Sequence, residues 1–247
     1  MNGGMNGVRR IAMWSGPRNI STAMMRSWGN RPDTHVVDEP FYAHYLNETG
    51  LDHPGWEEVI AHQEPDWRKV ADTLLGPLPA GRTIFYQKHM AHHLLSGMGG
   101  DWIDGLTHAF LIRDPRAMLA SYTRTRETVT LEDTGLPQQR TLFEKLADAE
   151  GSPPPVVDSR DILMDPPRML RRLCEALEVP FDEAMLSWPP GPRPTDGVWA
   201  PYWYHAVERS TGFQRYQEKT VGLPDHLERL AEDCLPYYQA LHAHRLT

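Results

Sequence analysis

Arg18, Ser21 and Thr22, within the run RIAMWSGPRNISTAMM at residues 10–25, are residue types that hold an oxyanion. Arg18 brings a permanent planar cation into a loop. Ser21 and Thr22 stand where a helix would begin, so their hydroxyls and the free N–H groups of its first turn would face the same anion. The run matches the Walker pattern G-x-x-x-x-G-K-[ST] poorly: counted from Gly16, Ser21 takes the place of the second glycine and Thr22 that of the lysine. That disfavours an ordinary Mg-dependent ATPase. The plainer alternative is a structural strand-turn-helix with a surface arginine.

Three more groups could do chemistry. In FLIRDPRAMLASY, Arg113 ends an apolar run and Ser121 lies on the helix after it, a guanidinium and a hydroxyl suited to a second phosphate. The competing reading pairs Arg113 with Asp114 or Asp161. Gln87-Lys88-His89, again at a strand end, offers a cation for a leaving group and a base for a hydroxyl. His92 and His93 follow closely, but no cysteine or carboxylate among them completes a metal set, so no metal is expected. Glu39, in VDEPF, is a carboxylate beside proline and aromatics; desolvation there raises a carboxyl toward the range of a general base.

The elements that must position these residues alternate between strand-like and helix-like, the pattern of an α/β fold with a central, mostly parallel sheet flanked by helices. Strands are expected at 9–14, 34–37, 83–87, 107–112 and 153–158. Helices are expected at 21–29, as a pair within 56–75 split by Pro65, at 115–126 capped by Asp114, at 166–177 and at 224–244. Residues 76–81 and 188–204, rich in proline and glycine, read as loops. In such sheets ligands gather at the carboxyl ends of the strands, where all the residues above fall.

At 247 residues the chain fits one α/β domain spanning 1–247, with 1–7 disordered and 186–247 a C-terminal loop and helical region. A net charge of −8 argues against nucleic acid and fits a small or weakly charged small-molecule substrate better. Two cysteines without metal spacing, no signal-peptide pattern and no run of about 18 apolar residues point to a cytoplasmic protein off the membrane.

Taken in order, these elements resemble the PAPS-dependent sulfotransferase superfamily, a P-loop-related α/β fold whose donor is 3′-phosphoadenosine 5′-phosphosulfate (PAPS). The family's PRSGST-type loop is similar to Pro17-Arg18-Asn19-Ile20-Ser21-Thr22, which the resemblance makes the 5′-phosphosulfate site, with Arg18 on the basic residue. Its 3′-phosphate motif, an arginine with a serine eight residues on, is similar to Arg113 and Ser121. Lys88-His89 resembles the K-x-H strand end of cytosolic members, one residue shorter, and Glu39 falls where another branch carries its base. VVDSRDIL and the helix behind it, through Phe181, look like the family's V-x-Y-E-D-L strand and following helix. Two departures stand out. Asn19-Ile20 replaces Ser-Gly, so a β-branched residue sits where glycine would allow φ > 0. The R-K-G-x-x-G-x-W-K segment is absent, its nearest counterpart being Ser210 to Arg215.

The resemblance implies metal-free, in-line transfer of a sulfuryl group from PAPS to a hydroxyl or amine of a small acceptor. Arg18 and the loop would stabilise the leaving phosphate, with help from Lys88. Glu39 or His89 would take the acceptor proton, Glu39 being preferred because the shortened Lys88-His89 spacing turns His89 away. Two rivals remain at this point: a non-catalytic phosphoadenosine-binding module, and a P-loop kinase or hydrolase acting on another nucleotide.

Overall fold

A computed structural model describes residues 7–123, 128–218 and 222–247. Among the described residues five parallel strands form one sheet: β1 (Arg9–Ser15), β2 (Thr34–Asp38), β3 (Ile84–Met90), β4 (Thr107–Ile112) and β5 (Val156–Asp158), in the order β2-β3-β1-β4-β5. The chain winds to one side of β1 through β2 and β3 and to the other through β4 and β5. The carboxyl end of β1 is therefore a switch point, where a crevice opens.

Every strand-to-strand connection is a crossover, and helices fill both faces. They are α1 (Ser21–Gly29), α2 (Tyr42–Thr49), α3 (Trp56–His62), α4 (Trp67–Leu75), α5 (Asp101–Asp104), α6 (Pro115–Tyr122), α7 (Leu136–Glu150), α8 (Ser159–Met164), α9 (Pro166–Ala176), α10 (Ala200–Trp203), α11 (His205–Glu208) and α12 (Asp225–His242). Asp114 caps α6 by accepting the Ala117 N–H, with Pro115 at the first position, as the sequence predicts. The expected extension of that helix through 124–126 lies outside the described residues, as does all but Gly7 of the expected disordered 1–7. Helices α2, α5, α7, α8 and α11 have no counterpart among the sequence expectations, and a short helix, α10, interrupts the stretch expected to be loop. Gly135, at φ 69°, and Pro137 open α7, punctuation that reads equally well as a turn.

The two-residue period of β1 divides the core. Ile11 and Met13 join Trp28, Tyr86 and Leu170 on one face, while Ala12 and Trp14 join Phe85, Phe110 and Leu146 on the other. All seven residues of β3 are buried, so its polar Gln87, Lys88 and His89 must find partners inside the protein. Cys174 and Cys234 are buried free thiols on α9 and α12. Among the described residues no helix is long and apolar enough to cross a membrane.

Candidate active site

A cavity of about 490 Å³ opens at the carboxyl ends of the strands. One wall is the loop after β1 and the start of α1, where Pro17, Arg18, Asn19, Ile20, Ser21 and Thr22 all line the space. Gly16 is obligatory here, because a Cβ would come within 2.3 Å of the Thr134 carbonyl oxygen. Asn19 is buried and its side-chain N–H donates to the Leu111 carbonyl at 3.2 Å, tying the loop to β4. Arg18 and Ile20 adopt left-handed φ of 60° and 61°. The substitution of isoleucine for glycine therefore leaves the left-handed turn in place, at a steric cost of about 1–2 kcal/mol. Among the described residues no side chain caps α1, and Ser21, Thr22 and Ala23 of its first turn line the cavity, which leaves their N–H groups available to an anion there.

Arg113 and Ser121 come from the end of β4 and from α6 to meet this loop. Arg18 Nε donates to Ser121 Oγ at 3.1 Å, and Arg113 Nη1 donates to the Arg18 carbonyl at 2.6 Å. Burial and then the neighbouring Arg18 charge push the Arg113 guanidinium below its usual value; it stays charged, and two cations share one corner of the cavity. Asp161, the alternative partner for Arg113, pairs with Arg245 instead at 3.2 Å.

The opposite wall carries Glu39, at φ 40° just past β2. Three of the four non-glycine residues with left-handed φ, among the described residues, thus line one cavity, a concentration of backbone strain typical of functional sites. Lys88 lies in register with Asp38 on the neighbouring strand, so both side chains point to the same face. Its ammonium, 1% exposed, donates to Asp38 Oδ1 at 2.8 Å, Glu39 Oε1 at 2.5 Å and Tyr204 Oη at 2.8 Å. Burial opposes the Lys88 charge, but the two carboxylates outweigh it and hold the ammonium protonated well above its ordinary range. Burial pushes the Glu39 carboxyl up, a rise that Asp38 reinforces and Lys88 only partly offsets.

His89, one residue on, faces the other side of the sheet. It stacks on Trp14 with ring centroids 4.4 Å apart, its Nε2 meets Gln87 Oε1 at 3.1 Å, and it does not line the cavity. Burial drives its imidazole down to about 3, so it is neutral at physiological pH. Arg215 is exposed and also stands outside the cavity lining, although its neighbours Gly212, Phe213 and Gln214 are part of it.

Sequence reasoning gave Asp38 no role, weighed His93 only as a metal ligand, and took Trp199 and Tyr204 only as ends of an aromatic run hinting at an acceptor pocket; all four meet in or behind the site. Tyr204 donates to Asp38 Oδ2 at 2.6 Å, Trp199 Nε1 donates to Tyr204 Oη at 3.2 Å, and the Gly197 N–H donates to Asp38 Oδ2 at 3.2 Å. The stretch around 197–204, which the sequence reads as a loop, therefore supplies Trp199, Trp203 and Tyr204 to the cavity wall. His93 stacks on Tyr42 at 4.7 Å, and burial, then His92 and His53, hold it neutral. Among the described residues no cluster of three or more histidines, cysteines or acids could hold a metal ion.

The chain matches the profile of the family described as "Sulfotransferase domain" over residues 9–245. Two curated Arabidopsis thaliana proteins, branched-chain-amino-acid aminotransferase-like proteins 2 and 1, are 36% and 38% identical to it over 235 residues, or 95% of this chain. The chain spans only 41% and 42% of their length, so their names describe much longer proteins. Among solved structures, a sulfotransferase from Alicyclobacillus acidocaldarius aligns with a TM-score of 0.56 at 13% identity, covering 97% of both chains. A sulfotransferase domain from the curacin biosynthetic pathway aligns with a TM-score of 0.53 at 14% identity, covering 92% of this chain and 97% of its own. At such identities the likeness is one of fold, and the fold is the P-loop-like α/β architecture expected from the sequence.

Proposed function

The chain belongs to the sulfotransferase domain family, and from that premise we propose that it moves a sulfuryl group from PAPS to a hydroxyl or amine of a small acceptor. The observation that carries the reading is that one cavity has an anion-binding loop with two arginines at one end and a buried, strained carboxylate at the other. The donor fits the first end. The uncapped N-terminus of α1, Arg18, Arg113 and the Ser121 hydroxyl supply donors and positive charge for its phosphosulfate and second phosphate.

In this reading the acceptor atom attacks sulfur in line with the bond to the leaving phosphate. The new S–O or S–N bond forms as the old S–O bond breaks, and the bisphosphate departs with that electron pair. Arg18 and the loop N–H groups stabilise the charge it gains. Glu39 takes the acceptor proton; burial holds its carboxyl above its ordinary value, which makes it a stronger base than an exposed carboxylate. Lys88 holds Glu39 rather than the leaving group, and His89 takes no part.

Calorimetric titration with 3′-phosphoadenosine 5′-phosphate, against ADP and ATP with and without Mg²⁺, tests the donor assignment. The expected result is metal-independent binding of the bisphosphate that weakens about 10- to 100-fold in Arg113→Ala, the worth of a lost charge-assisted contact. A preference for Mg-ATP, or an unchanged affinity in Arg113→Ala, would overturn it.

A further inference from the structure

Behind Glu39 lies a buried polar cluster that the transfer reaction does not by itself require. Lys88 carries one positive charge, while Asp38 and Glu39 both contact the same nitrogen, so the cluster holds one carboxylate more than it has cations. Asp38 is fully engaged: one oxygen accepts from Lys88, the other from Tyr204 and the Gly197 N–H. Glu39 is not. Its Oε1 accepts from Lys88, its Oε2 has no hydrogen-bond partner among the described residues, and its side chain keeps 12% exposure toward the cavity.

Resting on the sulfuryl-transfer reading of this site, we propose that Asp38 and Tyr204 are positioning residues that hold the Lys88 ammonium from behind, so that Glu39 meets a cation already neutralised and remains a proton acceptor. Without Asp38, Lys88 and Glu39 would form a simple ion pair, and Glu39 would become a weak base locked to its partner. With Asp38 in place, Lys88 fixes the Glu39 rotamer through one oxygen while the second carboxylate keeps negative charge beside it, which favours uptake of a proton. Tyr204 is the second brace. Its hydroxyl accepts from Lys88 and donates to Asp38, and its buried ring keeps water from the pair. Burial and the Asp38 charge keep that phenol protonated far above its usual range, so it serves as a neutral dipole.

The brace also ties the base to the C-terminal region. Gly197 and Trp199 donate into it, and a Cβ on Gly197 would lie 2.2 Å from the Trp199 ring, so this approach of backbone to indole needs glycine. The arrangement thus makes the strength of Glu39 depend on residues from the far end of the chain. The groups facing Glu39 are Asp38 of β2, Lys88 of β3, Tyr204 after α10, Tyr42 of α2 and His93 after β3, with Arg18, Arg113, Asp52, His53 and His92 elsewhere on the cavity wall. His93 is neutral, and the arginines, Asp52, His53 and His92 are the same in every variant below, so Asp38, which shares Lys88 with Glu39, is the charge whose removal is decisive.

The test is an isotope-edited infrared titration of ¹³C-glutamate-labelled protein, with Glu39→Gln identifying the Glu39 band, on wild type, Asp38→Asn and Tyr204→Phe. Wild-type Glu39 is expected to titrate above the ordinary carboxylate range. Asp38→Asn should lower its midpoint by about one pH unit or more, and Tyr204→Phe should lower it in the same direction by less. A merely structural role would lower thermal stability without moving this midpoint. A folded Asp38→Asn with an unchanged or raised midpoint overturns the proposal; should that variant not fold, an unchanged midpoint in Tyr204→Phe does so, as does wild-type Glu39 titrating at or below the ordinary range. Loss of the bisphosphate titration would sink the sulfuryl-transfer reading while leaving the infrared result standing, so the two failures are separable.

Discussion

At one end of the cavity the wall is a single stretch, residues 17–23, joined by Arg113 and Ser121 from one strand-helix unit. At the other, Glu39 is held by β2, β3 and a segment near 197–204 that reaches it from the far end of the chain. The first end offers backbone N–H groups and permanent cations, which need little beyond a tight turn. The second sets the proton affinity of a carboxylate, and that needs burial and charge neighbours that no local stretch supplies. In the proposed reading, recognition of the anion is thus carried by local motifs, and tuning of the base by long-range packing.

Glu39→Gln breaks the comparison at its most sensitive point. Turnover should fall about 10²- to 10⁴-fold while bisphosphate affinity, a property of the other end, stays nearly constant; steady-state kinetics alongside calorimetry separates the two. In wild type the activity should fall as pH drops through the raised Glu39 pKa, because the protonated carboxyl accepts nothing.

Arg26→Ala tests whether the C-terminal region is held independently of the base. Arg26 grips Asp196 with two hydrogen bonds of 2.6 and 2.7 Å, both side chains almost wholly buried, and pins this region to α1. Removing one partner of such a pair should cost about 3–5 kcal/mol, read as a lowered denaturant midpoint. Loss of turnover out of proportion to the unfolded fraction would show that the wall around Tyr204 has shifted as well.

The smallest effect is expected one residue from Lys88. His89→Gln should leave turnover per folded molecule within about twofold and cost about 1 kcal/mol through the lost stack on Trp14. It should also flatten the acid dependence of stability. A histidine whose folded pKa is pushed down to about 3 takes up its proton mainly in the unfolded chain, so its contribution to stability falls as pH drops below about 6.5. Urea unfolding of wild type and variant between pH 7 and pH 4 checks this sign.

The amino-acid sequence by itself determined the alternation of strands and helices, the anion loop with Arg18, the Arg113 and Ser121 pair, and Glu39 as a carboxylate at a strand end. These are read from hydrophobic period, capping residues and side-chain chemistry, all local quantities. The adjacency of Lys88 and His89 also sends the two side chains to opposite sides of the sheet, since strand residues alternate. Helices α2, α7 and α8 escaped because their punctuation reads equally as turns, and packing rather than propensity decides them. Only the tertiary structure decided that Asp38 stands in register beside Lys88 and that Tyr204 closes over both. Strand order and chain return bring those groups within hydrogen-bonding distance, and the proton affinity of a buried carboxylate depends on that nearness in space, not on position along the chain.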